Sequence, residues 1–272
     1  MAVLLAEDLL LLLLDDDRGD LAVRGGGAPV TGSVLAGEAV LGGAVLLELE
    51  LADAVQLRGR PAGGHEVVVT PRAFEPGGPT GDPLLAAAVR RVDEAPRDPV
   101  DLVGRLGEGL PASLAARLAD AGVLRAVPGP TAGALRWPAA DVARESGVRR
   151  RLWAALVEGG PPDPRTRALA ALLAAVGLAE DVLPRGPVPP PEVARRAALL
   201  ADGCWPAAAL QQAALRLQGR PAPASAPSPG AASGTREAVA GIAAGLAVTV
   251  AAGVVTGLLT GLAEGLARRA AD

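Results

Sequence analysis

The chain has no lysine, no asparagine and no tyrosine, and only one cysteine and one histidine among its 272 residues. Each shortage closes a route. Cys204 stands alone, so no internal disulfide can form, and a reducing compartment fits. It also lacks the companions of a zinc ligand set and reads as a small apolar packing residue. His65 is the only histidine, which excludes a His-rich metal site and removes support for Ser-His or Cys-His nucleophilic schemes. No metal, cofactor or catalytic residue is assigned, and no enzyme is expected. With lysine absent, all 26 basic residues are arginine, a bias that points to a GC-rich, bacterial genome. The net charge of −4 and a pI near 5.2 argue against nucleic acid as a partner. The amino terminus has no basic leader and carries Glu7 and Asp8 inside its apolar run, so no secretory signal is expected.

What is present is mostly helical in pattern. A leucine run (Leu4, Leu5, then Leu9 to Leu14) is stopped by Asp15, Asp16 and Asp17, and reads as a buried amphipathic helix. Six consecutive leucines are far too few to span a bilayer. A Gly-rich turn follows, then an apolar helix over Ser33 to Leu41 and a strand-like stretch over Val45 to Leu51. Glu66 to Thr70 is β-branched and reads as a strand, and the Pro/Gly stretch over residues 76–83 marks a loop. Asp82-Pro83 opens a helix through Leu84, Leu85, Val89 and Val92. Leu102, Val103 and Leu106 carry the next, and Leu114 and Leu118 a third that closes at Gly122. A short hairpin over residues 123–137 precedes helices near 142–157, 165–178, 191–201 and 205–217. Trp137 and Trp153 are expected to fill core space.

The order of these segments resembles the Golgi phosphoprotein 3 family. The likeness is carried by the leucine run and apolar helix over Leu4 to Leu51, by Gly81-Asp82-Pro83-Leu84-Leu85, and by Arg117-Leu118-Ala119-Asp120-Ala121-Gly122. Val148-Arg149-Arg150-Arg151-Leu152 and Asp163-Pro164-Arg165-Thr166-Arg167-Ala168-Leu169 complete it, over roughly residues 3–215. The resemblance implies a mainly α-helical domain with short β-hairpins. It also implies binding of phosphatidylinositol 4-phosphate or another anionic phospholipid at a membrane, and an adaptor role for membrane-bound enzymes. In eukaryotic members one Trp and several Arg hold the inositol phosphate. Here the corresponding positions fall near Val23 or Arg24, at Gly32, and near Glu108 and Pro111, and none is matched.

Two other groups are candidates for anion contact. Arg24, Thr31 and Ser33 surround the glycines before the apolar helix, whose free N–H groups could meet a phosphate; the alternative is a plain turn capped by Thr31 or Ser33. Arg149, Arg150 and Arg151 lie in a window, Arg136 to Arg151, where five arginines face only Asp141 and Glu145. Such a face could meet anionic headgroups, each arginine contributing about 1 kcal/mol near the surface. The alternative is a solvated helix face with internal ion pairs.

Residues 218–235 read as a Pro/Ala/Ser/Gly linker, and residues 236–272 as a separate hydrophobic helix. Ala238 to Ala263 runs without a charge, long enough as a helix to cross about 30 Å of hydrocarbon. Gly241, Gly245, Gly253, Gly257, Gly261 and Gly265 recur every fourth residue within two runs, a smooth stripe on which membrane helices pack or self-associate. The sequence therefore predicts a Golgi phosphoprotein 3-like domain over residues 1–217, at the cytoplasmic face of a membrane, peripheral or anchored by its tail. The alternative is a soluble protein–protein interaction module whose Gly-rich tail oligomerises.

Overall fold

The computed structural model describes residues 3–14, 22–25, 28–31, 34–61, 63–129 and 135–217. Their order is α1 (Leu5–Leu13), β1 (Ala22–Gly25), β2 (Ala28–Thr31), α2 (Val34–Leu51), β3 (Val55–Gly59), β4 (His65–Val69), α3 (Pro83–Glu94), α4 (Pro99–Gly107) and α5 (Leu110–Asp120). Then come β5 (Val127–Pro128), β6 (Leu135–Arg136), α6 (Ala143–Leu156), α7 (Pro164–Ala175), α8 (Pro190–Leu200) and α9 (Trp205–Leu217). The described architecture is mainly helical, with three two-stranded antiparallel hairpins, β1–β2, β3–β4 and β5–β6.

Two helices organise the core. α1 is not amphipathic: all nine of its residues are buried, because it threads between α2, α5, α6 and α7. A helix that is apolar on nearly every side is stable only when enclosed. α2 is the longest element, and it packs on α1, α4, α5, α7 and α9. It absorbs the stretch Val45 to Leu51 that alternation marked as a strand. The Leu-Glu-Leu-Glu-Leu alternation imitates a strand's period of two. The residues just before it do not, since Val45, Leu46 and Leu47 are buried in succession, as a strand with one buried face cannot arrange. Asp53, with φ of 53°, ends this helix, and the Ala54 N–H donates to the Leu49 carbonyl.

Three helices open on the same dipeptide, Asp-Pro. The Asp82 carboxylate accepts from Leu84 N–H and Leu85 N–H, Asp98 from Val100 N–H, and Asp163 from Arg165 N–H and Thr166 N–H. The aspartate satisfies donors that the first turn leaves free, and the proline sits where its missing N–H costs nothing. The Thr166 hydroxyl and the Thr166 and Arg165 amides hold the Asp163 carboxyl below the usual range against the opposing effect of burial. The first hairpin occupies the Gly-rich segment, with Ala22 paired to Thr31 and Gly25 to Ala28. In the sequence Gly26 and Gly27 lie between the two strands.

Candidate functional site

The arginines of α6 sit over α1, and their charges are largely answered from below. Arg144 donates through Nε to Asp8 Oδ1 at 3.0 Å and through Nη2 to Asp8 Oδ1 and Glu7 Oε2 at 2.9 and 2.8 Å. Glu7 also meets Arg117 Nε of α5 at 2.6 Å, and Arg117 Nη1 reaches Asp82 Oδ2 at 2.6 Å. One chain of ion pairs thus joins the α3 cap, α5, α1 and α6. Burial pulls the Arg117 pKa down, but the bond to Asp82 and the charges of Glu7 and Asp82 outweigh it and hold the value above the usual one. A second bridge ties α2 to α7 and to the start of α1. Glu48 accepts from Arg165 Nη1 at 2.7 Å and from the Leu5 N–H.

This arrangement divides the Arg149–Arg150–Arg151 run. Arg149 turns inward, bonded to Glu145 one turn earlier and to the Val182 carbonyl between α7 and α8. Arg150 is exposed, and Arg151 is 48% exposed with Asp8 at 3.8 Å. Three consecutive helical residues point about 100° apart, so they cannot share a face. The local surplus of three charges also shrinks, because Glu7 and Asp8 join Asp141 and Glu145 as counter-charges to the five arginines. Sequence reasoning missed this pairing. The available signal was two acids inside a leucine run with no neighbouring cation, which obliges a distant arginine to supply the charge.

Of the other candidates, Arg24 lies in β1 and Thr31 at the end of β2, while Ser33 and Gly32 are outside the described residues. The six glycines from Gly241 to Gly265, with the whole linker and apolar segment, also lie outside them. Among the described residues no helix is long and apolar enough to cross a membrane, and no group of three His, Cys, Asp or Glu could hold a metal ion. Burial raises the Cys204 thiol pKa, which disfavours the thiolate.

Residues 5–217 match the model of the family described as Golgi phosphoprotein 3 (GPP34). The chain belongs to that family. No curated protein matches it. The match runs from α1 to the end of α9, and the residues after 217 lie beyond it. Glu108 and Pro111, near which the resemblance places arginines, are the C-cap of α4 and a residue in the first turn of α5. Between them the Gly109 N–H, at the α5 N-terminus, donates to Glu38 Oε1 of α2 at 3.0 Å. An internal carboxylate therefore holds a donor that a helix start could otherwise offer to an external anion.

Asp181, in the α7–α8 connection beside the Arg149 contact, has a strongly raised pKa. Burial, and then the charge of Glu180, push it to about 6. A raised folded value favours the protonated form, so its contribution is full below about pH 4 and is lost as pH rises through about 6. Asp181→Asn is therefore expected to stabilise the protein at pH 7 by about 1 kcal/mol, discounted for its partial exposure. Urea unfolding at pH 4 and pH 7 checks this: the gain should vanish at the lower pH, and an equal gain at both would refute the titration.

Proposed function

We propose that this chain is a non-enzymatic, lipid-binding adaptor of the Golgi phosphoprotein 3 type that works at the cytoplasmic face of a membrane. Family membership across the entire helical domain carries the reading. Its lipid preference is for anionic headgroups in general rather than for phosphatidylinositol 4-phosphate. Specific phosphoinositide recognition needs several convergent arginine donors, and the stretch near Glu108 and Pro111 supplies none, with the Gly109 N–H there bonded to Glu38. Arg150 and Arg151 supply exposed positive charge, and Arg24, Thr31 and Ser33 are offered as further contacts from the sequence alone. The apolar segment 238–263, with its glycine stripe, serves as the stronger attachment and as a surface for self-association, while the domain engages membrane-bound enzymes. The all-arginine composition is consistent with a bacterial setting for this activity.

Liposome co-sedimentation of residues 1–216 beside the full chain tests the proposal. Neutral, generic anionic and phosphatidylinositol 4-phosphate vesicles are compared at two salt concentrations. The full chain is expected to pellet with every vesicle, and the shorter one weakly, with anionic vesicles at low salt only. Selective pelleting of residues 1–216 with phosphatidylinositol 4-phosphate would restore family-type headgroup recognition. A full chain that stays in the supernatant throughout would remove the membrane role.

A further inference from the structure

The outer edge of β3 carries backbone groups that no described residue satisfies. The Thr70 N–H donates to the Ala54 carbonyl at 2.9 Å, and the Arg60 N–H to the Gly64 carbonyl at 3.1 Å. These bonds bracket the register from Val55↔Val69 to Gly59↔His65. Antiparallel ladders bond at alternate pairs. Gln56 and Arg58 therefore face β4, while Val55, Leu57 and Gly59 turn their N–H and C=O groups away from it; Val55 is buried, so the accessible part of this edge is Leu57 and Gly59. On the far side of the hairpin the equivalent edge is closed, since Val67 N–H donates to the Arg97 carbonyl at 2.8 Å. Among the described residues no such bond reaches Val55, Leu57 or Gly59 from outside the hairpin.

A concavity of about 570 Å³ follows this open edge, lined among others by Glu50, Asp53, Leu57, Gly59 and Trp205. Leu57 and Trp205 are half-buried and pack on the core with part of their surface still free, which makes an apolar floor. Glu50 and Asp53 make one end acidic, and burial together with Asp53 holds the Glu50 carboxyl above the usual range. Arg72 Nε already lies 3.9 Å from Asp53 Oδ2, so a further cation placed there would act mainly on Glu50. An unpaired edge beside an apolar floor is the geometry of strand addition, in which main-chain bonds give affinity and alternate side chains give selectivity.

We propose that the outer edge of β3 accepts an extended peptide as a third strand, with an apolar side chain on Leu57 and Trp205 and a basic side chain at Glu50 and Asp53. The occupant is a single strand carrying a basic residue, selected by the charge of Glu50 and Asp53 at one end of the groove. This inference does not depend on lipid binding.

Fluorescence anisotropy of the full chain tests it with two labelled, acetylated heptapeptides of alternating threonine and valine, with one arginine near either end. One of them is expected to bind. Methylating its alternate backbone nitrogens should weaken binding at least tenfold, and changing its arginine to glutamate at least fivefold. Leu57→Pro removes an outward N–H and no ladder bond, and should weaken binding at least tenfold. The double variant Glu50→Gln, Asp53→Asn leaves the backbone untouched and should remove the preference for arginine over glutamate. The proposal is overturned if neither peptide binds, if methylation changes nothing, or if sedimentation velocity shows a dimer that Leu57→Pro dissolves.

Discussion

Replacing Arg144 by leucine is expected to destabilise the protein by about 3–5 kcal/mol, the cost of leaving a buried charge without its partner. Glu7 and Asp8 are only 4% and 2% exposed, so water cannot take over the role of the guanidinium. The two acids would not suffer equally. Glu7 keeps Arg117 at 2.6 Å and the Leu4 N–H at 3.2 Å, whereas Asp8 is left with Arg151 at 3.8 Å among its described partners. The penalty should therefore reside mainly on Asp8, and Asp8→Asn added to Arg144→Leu should recover about half of it. Arg150→Ala, an exposed site on the same helix, should stay within about 0.5 kcal/mol of the parent. Urea unfolding followed by circular dichroism measures all three. A loss below about 1 kcal/mol for Arg144→Leu would mean that the ion chain between α1 and α6 contributes little. A loss of the expected size would make Arg144 a structural residue, leaving Arg150 and Arg151 as the part of this basic stretch available to headgroups.

Where the sequence was legible, the local signals were strong and independent of partners. Asp82-Pro83 opens a helix in whatever context it sits, because cap and proline both act within one turn. Gly122, at φ of 75°, closes α5 for an equally local reason. The errors came where burial overrode local pattern. α1 looks amphipathic only while Glu7 and Asp8 are assumed to face water; once Arg117 and Arg144 reach them, the whole circumference can be buried. The tail of α2 looks like a strand until the helices packed around α2 bury Val45, Leu46 and Leu47 together. The counter-charges of the candidate anion surface were hidden in the same manner. Counting charges between Arg136 and Arg151 cannot find counter-charges 136 and 137 residues away in sequence. The open edge of β3 was illegible too, since no property of Val55 to Gly59 says which of its neighbours will be a strand and which a groove.

Gly107→Ala should be the most damaging conservative change in the domain, at about 3 kcal/mol or more. α2 and α4 cross at two glycines, and each backbone fills the space beside the other's Cα. A Cβ on Gly107 would lie 2.0 Å from the Glu38 carbonyl oxygen and 2.4 Å from its carbon. On the other side, a Cβ on Gly42 would lie 2.0 Å from the Val103 carbonyl oxygen and 2.7 Å from the Gly107 nitrogen. Real Cβ atoms do not approach backbone so closely, and neither obstacle can rotate away as a side chain would. The helices must separate, and α2 cannot shift freely because α1, α5, α7 and α9 pack on it as well. Packed interiors pass such strain onward rather than absorbing it. The displacement would also pull Glu38 from the Gly109 N–H at the start of α5. Gly104→Ala is the internal control, one turn earlier on α4 with nothing within 4 Å of its added methyl. Alanine's better helix propensity should make that variant neutral or slightly stabilising. Melting temperatures of the two variants decide the matter: a large drop for Gly107→Ala beside an unchanged Gly104→Ala identifies backbone contact as the cause, and equal values for both would show that α2 and α4 do not approach so closely in solution.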